Sequence, residues 1–287
     1  MLAFELILYE ATLEWSGGMI RVSKTVKRRD GTSERGQLIL SQLLRTGTLT
    51  IEELCERFGI SVATARRDLD QLEKQGRLRR THGGAKAVEP LLYEPFRHVS
   101  TFQEESDRYA EEKRRIGIAA ATLIQEGDTI AVTSGTTALY VTRGIPLDQK
   151  ITVVTNTVNV AMELSNRPDL SIFVTGGFMH AGWFSLVGSV ATQAMRGIFV
   201  DRVFAGASGV HAEHGITAFH PDEAGFNSVM VRQARQKIVV ADRGKLGQVA
   251  THLFCPIEDV DILITDAGAT DSDIAPFLAK GMEVRRV

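Results

Sequence analysis

From Asp128 onward, six short apolar runs rich in β-branched residues recur at Thr129–Thr133, Ile151–Thr155, Leu170–Thr175, Arg202–Ala205, Lys237–Ala241 and Asp261–Thr265. Helix-like stretches separate them, among them Val158–Ser165, Val190–Arg196 and Ala224–Gln236. Most of these runs are apolar along their length instead of at alternate positions, so the strands they form must be covered on both faces. Strands of this kind alternating with helices imply a parallel sheet between two helical layers. The expected fold class is α/β, with a Rossmann-like parallel-sheet domain over residues 106–287.

Ligands of such sheets bind outside the carboxyl ends of the strands, so the residues there are the candidate site. The first run leads into Ser134, Gly135, Thr136 and Thr137, the second into Asn156, and the third into Gly176 and Gly177. The fourth is followed by Gly206 and Ser208, the fifth by Asp242 with Lys245 three residues on. Glycine lets backbone N–H groups approach an anion, a helix start adds partial positive charge, and hydroxyls add donors. Lys245 can neutralise a phosphate and Asp242 can accept from sugar hydroxyls. Any one of these turns is ordinary α/β loop chemistry; five on one edge predict a site for a small phosphorylated sugar or polyol.

The N-terminal part reads differently. Ile39, Leu40, Leu43 and Leu44 give a helix from about Ser33 to Arg45 an inward face, and Gly47 ends it. Thr50 and Glu53 make a capping box, Gly59 stops the helix they open, and Ser61 caps the next. Helix, short turn, helix is the geometry of a helix-turn-helix. On the second helix Val62, Ala65, Leu69 and Leu72 form the predicted inward stripe. Arg67 lies opposite it with Ala63, Thr64, Gln71 and Lys74 around it, and Arg66 on the flank. That face suits a major groove, where Arg reads guanine and small residues allow close approach. Arg77, Arg79 and Arg80 around Leu78, then His82 and the Gly83-Gly84 turn, predict a basic wing. A lone Arg-Arg pair would be read as a solvated helix face; capping, turn and wing together favour DNA.

Charge supports the division. Residues 1–100 carry 16 Lys/Arg against 13 Asp/Glu, and residues 101–287 carry 17 against 22. Within Ser61–Lys86 the count is 7 against 3. Basic charge is thus concentrated on the predicted reader. Residues 1–32 are expected to be a flexible extension, 33–88 the winged helix-turn-helix, and 89–105, with Pro90 and Pro95, a linker. One long helix is expected from about Glu104 to Gln125. The two cysteines, Cys55 and Cys255, have no metal-like spacing and fit a reducing compartment. No apolar run approaches the ~20 residues of a membrane span, so a cytoplasmic location is expected.

From Glu34 to Asp266 the chain resembles the DeoR family of bacterial transcriptional regulators. The most specific matching residues are Ser61-x-x-Thr64-x-Arg66-Arg67-Asp68-Leu69 and His82-Gly83-Gly84-Ala85. Ser134-Gly135-Thr136-Thr137, Thr155-Asn156, Gly176-Gly177, Asp201, Gly206, Glu223 and Asp242-x-x-Lys245 follow the same pattern. The resemblance implies a sensor domain similar to ribose-5-phosphate isomerase and a homo-oligomer, dimer or tetramer. It further implies repression of a carbohydrate operon, released by a phosphorylated sugar or related metabolite. It brings Glu223 into the effector site. Two positions depart from the pattern: Thr133 stands where Asp is frequent, and Asn227, four residues after Glu223, where Lys is frequent. Both are expected near the effector, and so imply a changed one.

Residue types alone also admit two other classes. An isomerase-like enzyme would need a general base, for which Glu223 and Asp242 are candidates. His211, Glu213, His214 and His220 are close in sequence but lack a coordination pattern. The expectation is therefore a DNA-binding regulator with no catalytic residues, no metal and no cofactor, whose partners are an operator duplex, a small effector and a second copy of itself.

Overall fold

The computed structural model describes residues 12–16, 19–23, 34–74, 77–87, 100–147, 149–180 and 182–287. Where a flexible arm was expected, Thr12–Ser16 (β1) pairs antiparallel with Met19–Ser23 (β2). β-forming residues flank Gly17-Gly18 in the sequence, which is a hairpin signal. The rest of residues 1–33 lies outside the described ones.

The reader follows its capping chemistry. Helix α1 is Glu34–Thr46, and after a three-residue strand β3, Thr48–Thr50, comes α2, Ile51–Phe58. Thr50 Oγ1 accepts from Glu53 N at 3.1 Å, and Glu53 Oε2 accepts from Thr50 N at 2.8 Å. Gly59 closes α2 in the left-handed conformation. Ser61 Oγ accepts from Thr64 N at 3.2 Å and opens α3, Val62–Lys74. The wing is β4, Leu78–Thr81, and β5, Gly84–Ala87. It is three-stranded, in the order β3-β5-β4, where the sequence suggested a hairpin alone. Gly84 makes this possible: a Cβ there would overlap the Leu49 carbonyl and lie 2.8 Å from Thr50 Cα. Ile39, Leu43, Leu54, Ala65, Leu69, Leu72 and Leu78 fill the core. Val62, expected inward, is 48% exposed, because it stands at the first position of α3, past the edge of that core. The inward stripe runs instead through Ala65, Asp68, Leu69 and Leu72.

The predicted long helix is two: α4, Ser100–Asp107, and α5, Ala110–Ala121. Tyr109 breaks it by adopting φ 54°, and its ring lies 4.3 Å from the Arg243 guanidinium. A cation–π contact of this kind rewards the kink. Helix α4 begins inside the stretch expected to be linker. The chain continues through β6 (Thr129–Val132), α6 (Thr136–Gly144), β7 (Thr152–Thr155), α7 (Val158–Leu164) and β8 (Ser171–Val174). A hairpin, β9 (Phe178–His180) and β10 (Ser185–Val187), precedes α8 (Ser189–Arg196) and β11 (Val200–Ala205). A second small ladder, β12 (Gly209–His211) and β13 (Gly215–Ala218), leads to α9 (Pro221–Arg232) and β14 (Ala234–Val240). The chain closes with β15 (His252–Cys255), β16 (Ile262–Thr265), α10 (Asp271–Leu278) and β17 (Glu283–Arg286). Residues 234–236, read as helix from the sequence, are strand because β14 pairs with β11 from Ala234 onward.

The main sheet has seven strands in the order β17-β16-β14-β11-β6-β7-β8, and all its pairings are parallel. Ala131, Val154, Val203, Val239 and Leu263 face one core with Met195, Phe226 and Phe277. Ile130, Val153, Phe204, Ile238 and Ile264 face the other with Ile116, Leu139 and Val160. Helices α8, α9 and α10 cover the first face, and α5, α6 and α7 the second. The chain runs outward from β6 to β8, then returns to β11 on the other side of β6 and runs outward again. Strand order therefore reverses between β6 and β11. That reversal is where doubly wound sheets open a crevice.

Candidate DNA-reading surface and ligand cavity

Helix α3 presents Ala63, Arg66, Arg67, Gln71 and Lys74 as exposed residues. Thr64 is half-buried, its hydroxyl 3.0 Å from that of Ser61. The helix is held from behind: Arg35 Nε and Nη2 on α1 donate to Asp68 Oδ2 and Oδ1 at 2.6 and 3.0 Å. The sequence reading did not foresee this pair, since Asp68 sits in a motif but 33 residues from its partner. On the wing, exposed Arg79 stands directly opposite exposed Lys86 in the β4–β5 ladder. Like charges at directly opposed positions repel, and a phosphate placed between them would relieve the repulsion. Arg77 is half-buried, and His82 is exposed at the wing turn. Arg80 is differently employed. Its guanidinium pairs with Asp70 on α3 and donates to the Gly84 carbonyl at 3.3 Å, while Glu73 Oε1 accepts from its backbone N–H at 2.7 Å. Arg80 thus braces wing against helix.

A cavity of about 560 Å³ opens at the β6/β11 reversal. Eight of the fourteen strand-end candidates line it: Ser134, Gly135, Thr136, Thr137, Gly206, Ser208, Glu223 and Lys245. Gly135 takes φ 127°, which L side chains rarely adopt, and a Cβ on Gly206 would lie 3.0 Å from the Ser134 carbonyl oxygen, so glycine there lets the β6 and β11 loops approach. Helix α6 begins at Thr136, directing its N-terminal amides and partial positive charge at the cavity. Ser134 Oγ donates to Glu223 Oε1 at 2.6 Å, which fixes the carboxylate on the opposite wall.

The other six are not part of its lining. Thr133 is fully buried; its Oγ1 accepts from Gly206 N at 2.9 Å and donates to the Ser134 carbonyl at 3.1 Å. It staples the two strand ends. Asn156 Nδ2 donates to the Leu186 carbonyl at 3.0 Å, and Leu186 N donates to the Asn156 carbonyl at 2.6 Å. A Cβ on Gly177 would lie 2.6 Å from the Val187 carbonyl. Asn156 and Gly177 therefore seat the β9–β10 hairpin, with Gly176 beside them in sequence. Asn227 is buried one helical turn beyond Glu223. Asp242 is buried beneath Lys245, its Oδ1 accepting from Gly244 N at 3.0 Å and its Oδ2 3.9 Å from Lys113 Nζ. Burial pushes the Asp242 carboxyl up and the Lys113 ammonium down from their ordinary values. Of the two candidate general bases, only Glu223 faces the cavity.

The sequence reading missed the remaining lining. Glu104, Glu105 and Arg108 come from α4 and its end, and Trp183, Phe219 and His220 from the surrounding loops. Strand-end logic does not reach α4, which enters the site from before the first strand. A lone Trp in a glycine-rich stretch was the one available signal for Trp183. The three histidines do not form one group: His211 and His214 stand 4.6 Å apart between ring centroids, with His211 Nδ1 accepting from Glu213 N at 3.0 Å, while His220 lies 4.6 Å from the His180 ring. Among the described residues, no group of three or more His, Cys, Asp or Glu is placed to hold a metal ion. No helix among them is long and apolar enough to cross a membrane.

A winged helix-turn-helix joined to a switch-point cavity defines a regulator that carries its own sensor. The DeoR-like helix-turn-helix domain model matches residues 35–90, and the DeoR C terminal sensor domain model matches residues 108–267. The chain is 35% identical to the uncharacterized HTH-type transcriptional regulator FruR of Bacillus subtilis, over 82% of this chain and 92% of that protein. It is 33% identical to the HTH-type transcriptional repressor GlcR of the same organism, over 81% and 88%. Among solved structures, ribose 5 phosphate isomerase A from Neisseria gonorrhoeae aligns at 13% identity and TM-score 0.33, over 46% of this chain and about half, 52%, of its own. The chain belongs to the DeoR family of DNA-binding transcriptional regulators.

Proposed function

We propose that the chain is a repressor of a carbohydrate-catabolism operon whose hold on DNA is set by a phosphorylated sugar or related metabolite in the β6/β11 cavity. The observation that carries this is the cavity wall: the α6 N-terminus, the Gly135 and Gly206 loops and the Lys245 ammonium converge on one space at the strand-order reversal. Amides and an ammonium suit a phosphate, while Glu223 and the hydroxyls of Ser134 and Thr137 suit a polyol. Trp183 and Phe219 offer apolar faces to a sugar's C–H surface. Relatives named as repressors, GlcR and the putative aga operon transcriptional repressor of Escherichia coli O157:H7, support the direction of control.

Arg67, with Ala63, Thr64 and Gln71, reads bases, while Ser61, Arg66, Lys74, Arg77, Arg79 and His82 lie along the DNA backbone; Arg80 acts as the wing's brace. A dimer or larger assembly sets two such helices in major grooves about 10 bp apart or a multiple of it. Thermal-shift screening of the full chain against sugar phosphates tests the sensor. Stabilisation by a subset, beyond that given by inorganic phosphate, is expected. Stabilisation by none, or equally by phosphate alone, refutes the sugar-specific reading.

A further inference from the structure

On its α4 side the cavity is closed by charge. Lys245 Nζ donates to Glu105 Oε1 at 2.8 Å. Lys113, fully buried on α5, donates to the Glu105 carbonyl and lies 3.6 Å from the same Oε1. Glu105 therefore ties α4 to the sensor twice, by its backbone to Lys113 and by its carboxylate to Lys245. Burial pulls the Glu105 carboxyl up, but the hydrogen bond from Lys245 and the charges of Lys245, Lys113 and Arg108 outweigh it and hold the group below its ordinary value. Lys245 is also the cation suited to a phosphate in the cavity.

These two uses of Lys245 conflict. A phosphate dianion attracts an ammonium more strongly than a monocarboxylate does, and at the distance of a shared cation it repels that carboxylate. The neighbouring wall adds Glu104 and Glu223, which repel displaced negative charge, so the Glu105 carboxylate is left with Lys113 and Arg108. Across α5 from this cluster lies the reader. Arg114 follows Lys113 directly, and a Cβ on Gly47, which ends α1, would lie 3.9 Å from both Arg114 Cδ and Glu111 Oε1. The start of α5 thus carries Lys113 in the ion cluster and, beside it, Glu111 and Arg114 next to Gly47 at the end of α1.

We propose that Glu105–Lys245 is a latch: a phosphorylated ligand takes Lys245 from Glu105, loosens α4, and so shifts the start of α5, whose Glu111 and Arg114 side chains stand beside Gly47 of the DNA reader. The latch rests on the phosphorylated-ligand reading of the cavity. Ligand and DNA are then coupled through an element with two arrangements, latched and unlatched.

Hydrogen exchange of the full chain over residues 100–107 tests it, with inorganic phosphate as probe. Saturating phosphate is expected to speed exchange there by about tenfold. Glu105→Gln is expected to exchange at the faster rate without phosphate and to bind phosphate about fivefold more tightly or better. Lys245→Gln opens the same tie from the other side, so it exchanges fast but binds phosphate more weakly. Opposite affinity changes with the same opening separate a latch from a merely structural pair, whose loss would weaken binding in both variants. Phosphate binding that leaves 100–107 unchanged, or Glu105→Gln with wild-type exchange and affinity, overturns the latch and leaves the ligand reading standing. Failure of the wild type and both variants to bind phosphate or any sugar phosphate overturns the ligand reading, and the latch with it.

Discussion

Arg35 and Asp68 meet in a two-point ion pair, Nε to Oδ2 at 2.6 Å and Nη2 to Oδ1 at 3.0 Å, across 33 residues of sequence. Two parallel bonds fix direction as well as distance, so the pair sets the angle at which α3 leaves the reader's core. Asp68 is buried in the inward stripe between Ala65 and Leu69. Asp68→Asn keeps the volume and removes the charge. It is expected to lower the midpoint of the reader's thermal unfolding by several degrees and to weaken DNA binding at every sequence alike. Circular dichroism melting and a binding titration check this; an unchanged midpoint would show the pair to be ornamental.

Arg67 and Arg79 should fail in different ways. Arg67→Ala removes the proposed base reader, so it is expected to cost about 1–3 kcal/mol at the preferred sequence and to relax preference at one base position. Arg79→Ala removes a wing cation, so it should weaken all sequences about equally and reduce the salt slope by about 1. Selection from a random duplex library, followed by titration at two salt concentrations, distinguishes them. Equal binding to selected and random DNA by wild type and Arg67→Ala alike would end the base-reading role.

How much of this was legible follows from the range of each interaction. The capping box at Thr50, the Gly59 stop and the Ser61 cap act within four residues, and the sequence located all three. The apolar runs likewise located six of the seven parallel strands. Strand β17 was missed because Glu283, Arg285 and Arg286 mask an edge strand that needs only one partner. The kink at Tyr109 was missed because its partner, Arg243, is more than a hundred residues away. The cavity was half legible for the same reason. Strand-end turns were predicted by topology, but which strands flank the order reversal was not, so Asn156, Gly176 and Gly177 were grouped with residues that line the cavity, although Asn156 and Gly177 contact the β9–β10 hairpin. Glu105 gave no local signal at all.

The latch has a pH signature. Glu105 faces Lys245, Lys113 and Arg108, with Asp242 across Lys113, and its carboxyl is held below the ordinary value of 4.5. A depressed carboxylate contributes stability that is present above its unfolded value and is lost as pH falls through the folded one. The tie therefore survives acidification past 4.5 and is lost only below it. Carbon-detected NMR titration should find Glu105 below its ordinary value in the wild type and returned toward it in Lys245→Gln. The same titration midpoint in both would contradict the ion pair.

The two thiols should differ in reactivity. Burial among apolar residues, with Asp259 and Asp261 adding to it, pushes the Cys255 thiol up to about 12, so almost none is thiolate at neutral pH. Cys55 is half-buried on α2. A disulfide-exchange reagent is expected to label Cys55 in the native protein and Cys255 only after unfolding. Rapid labelling of both under native conditions would mean that the core around Cys255 opens readily.

The central claim is that occupancy of the β6/β11 cavity and grip on the operator are two readings of one equilibrium. The direct measurement is the Kd of the full chain for a selected operator duplex, at fixed salt, with and without the sugar phosphate that stabilises it most. The expected change is about fivefold or more, and linkage requires the ligand's own Kd to change by the same factor when operator is present. An operator Kd that is identical with and without bound ligand would contradict the account.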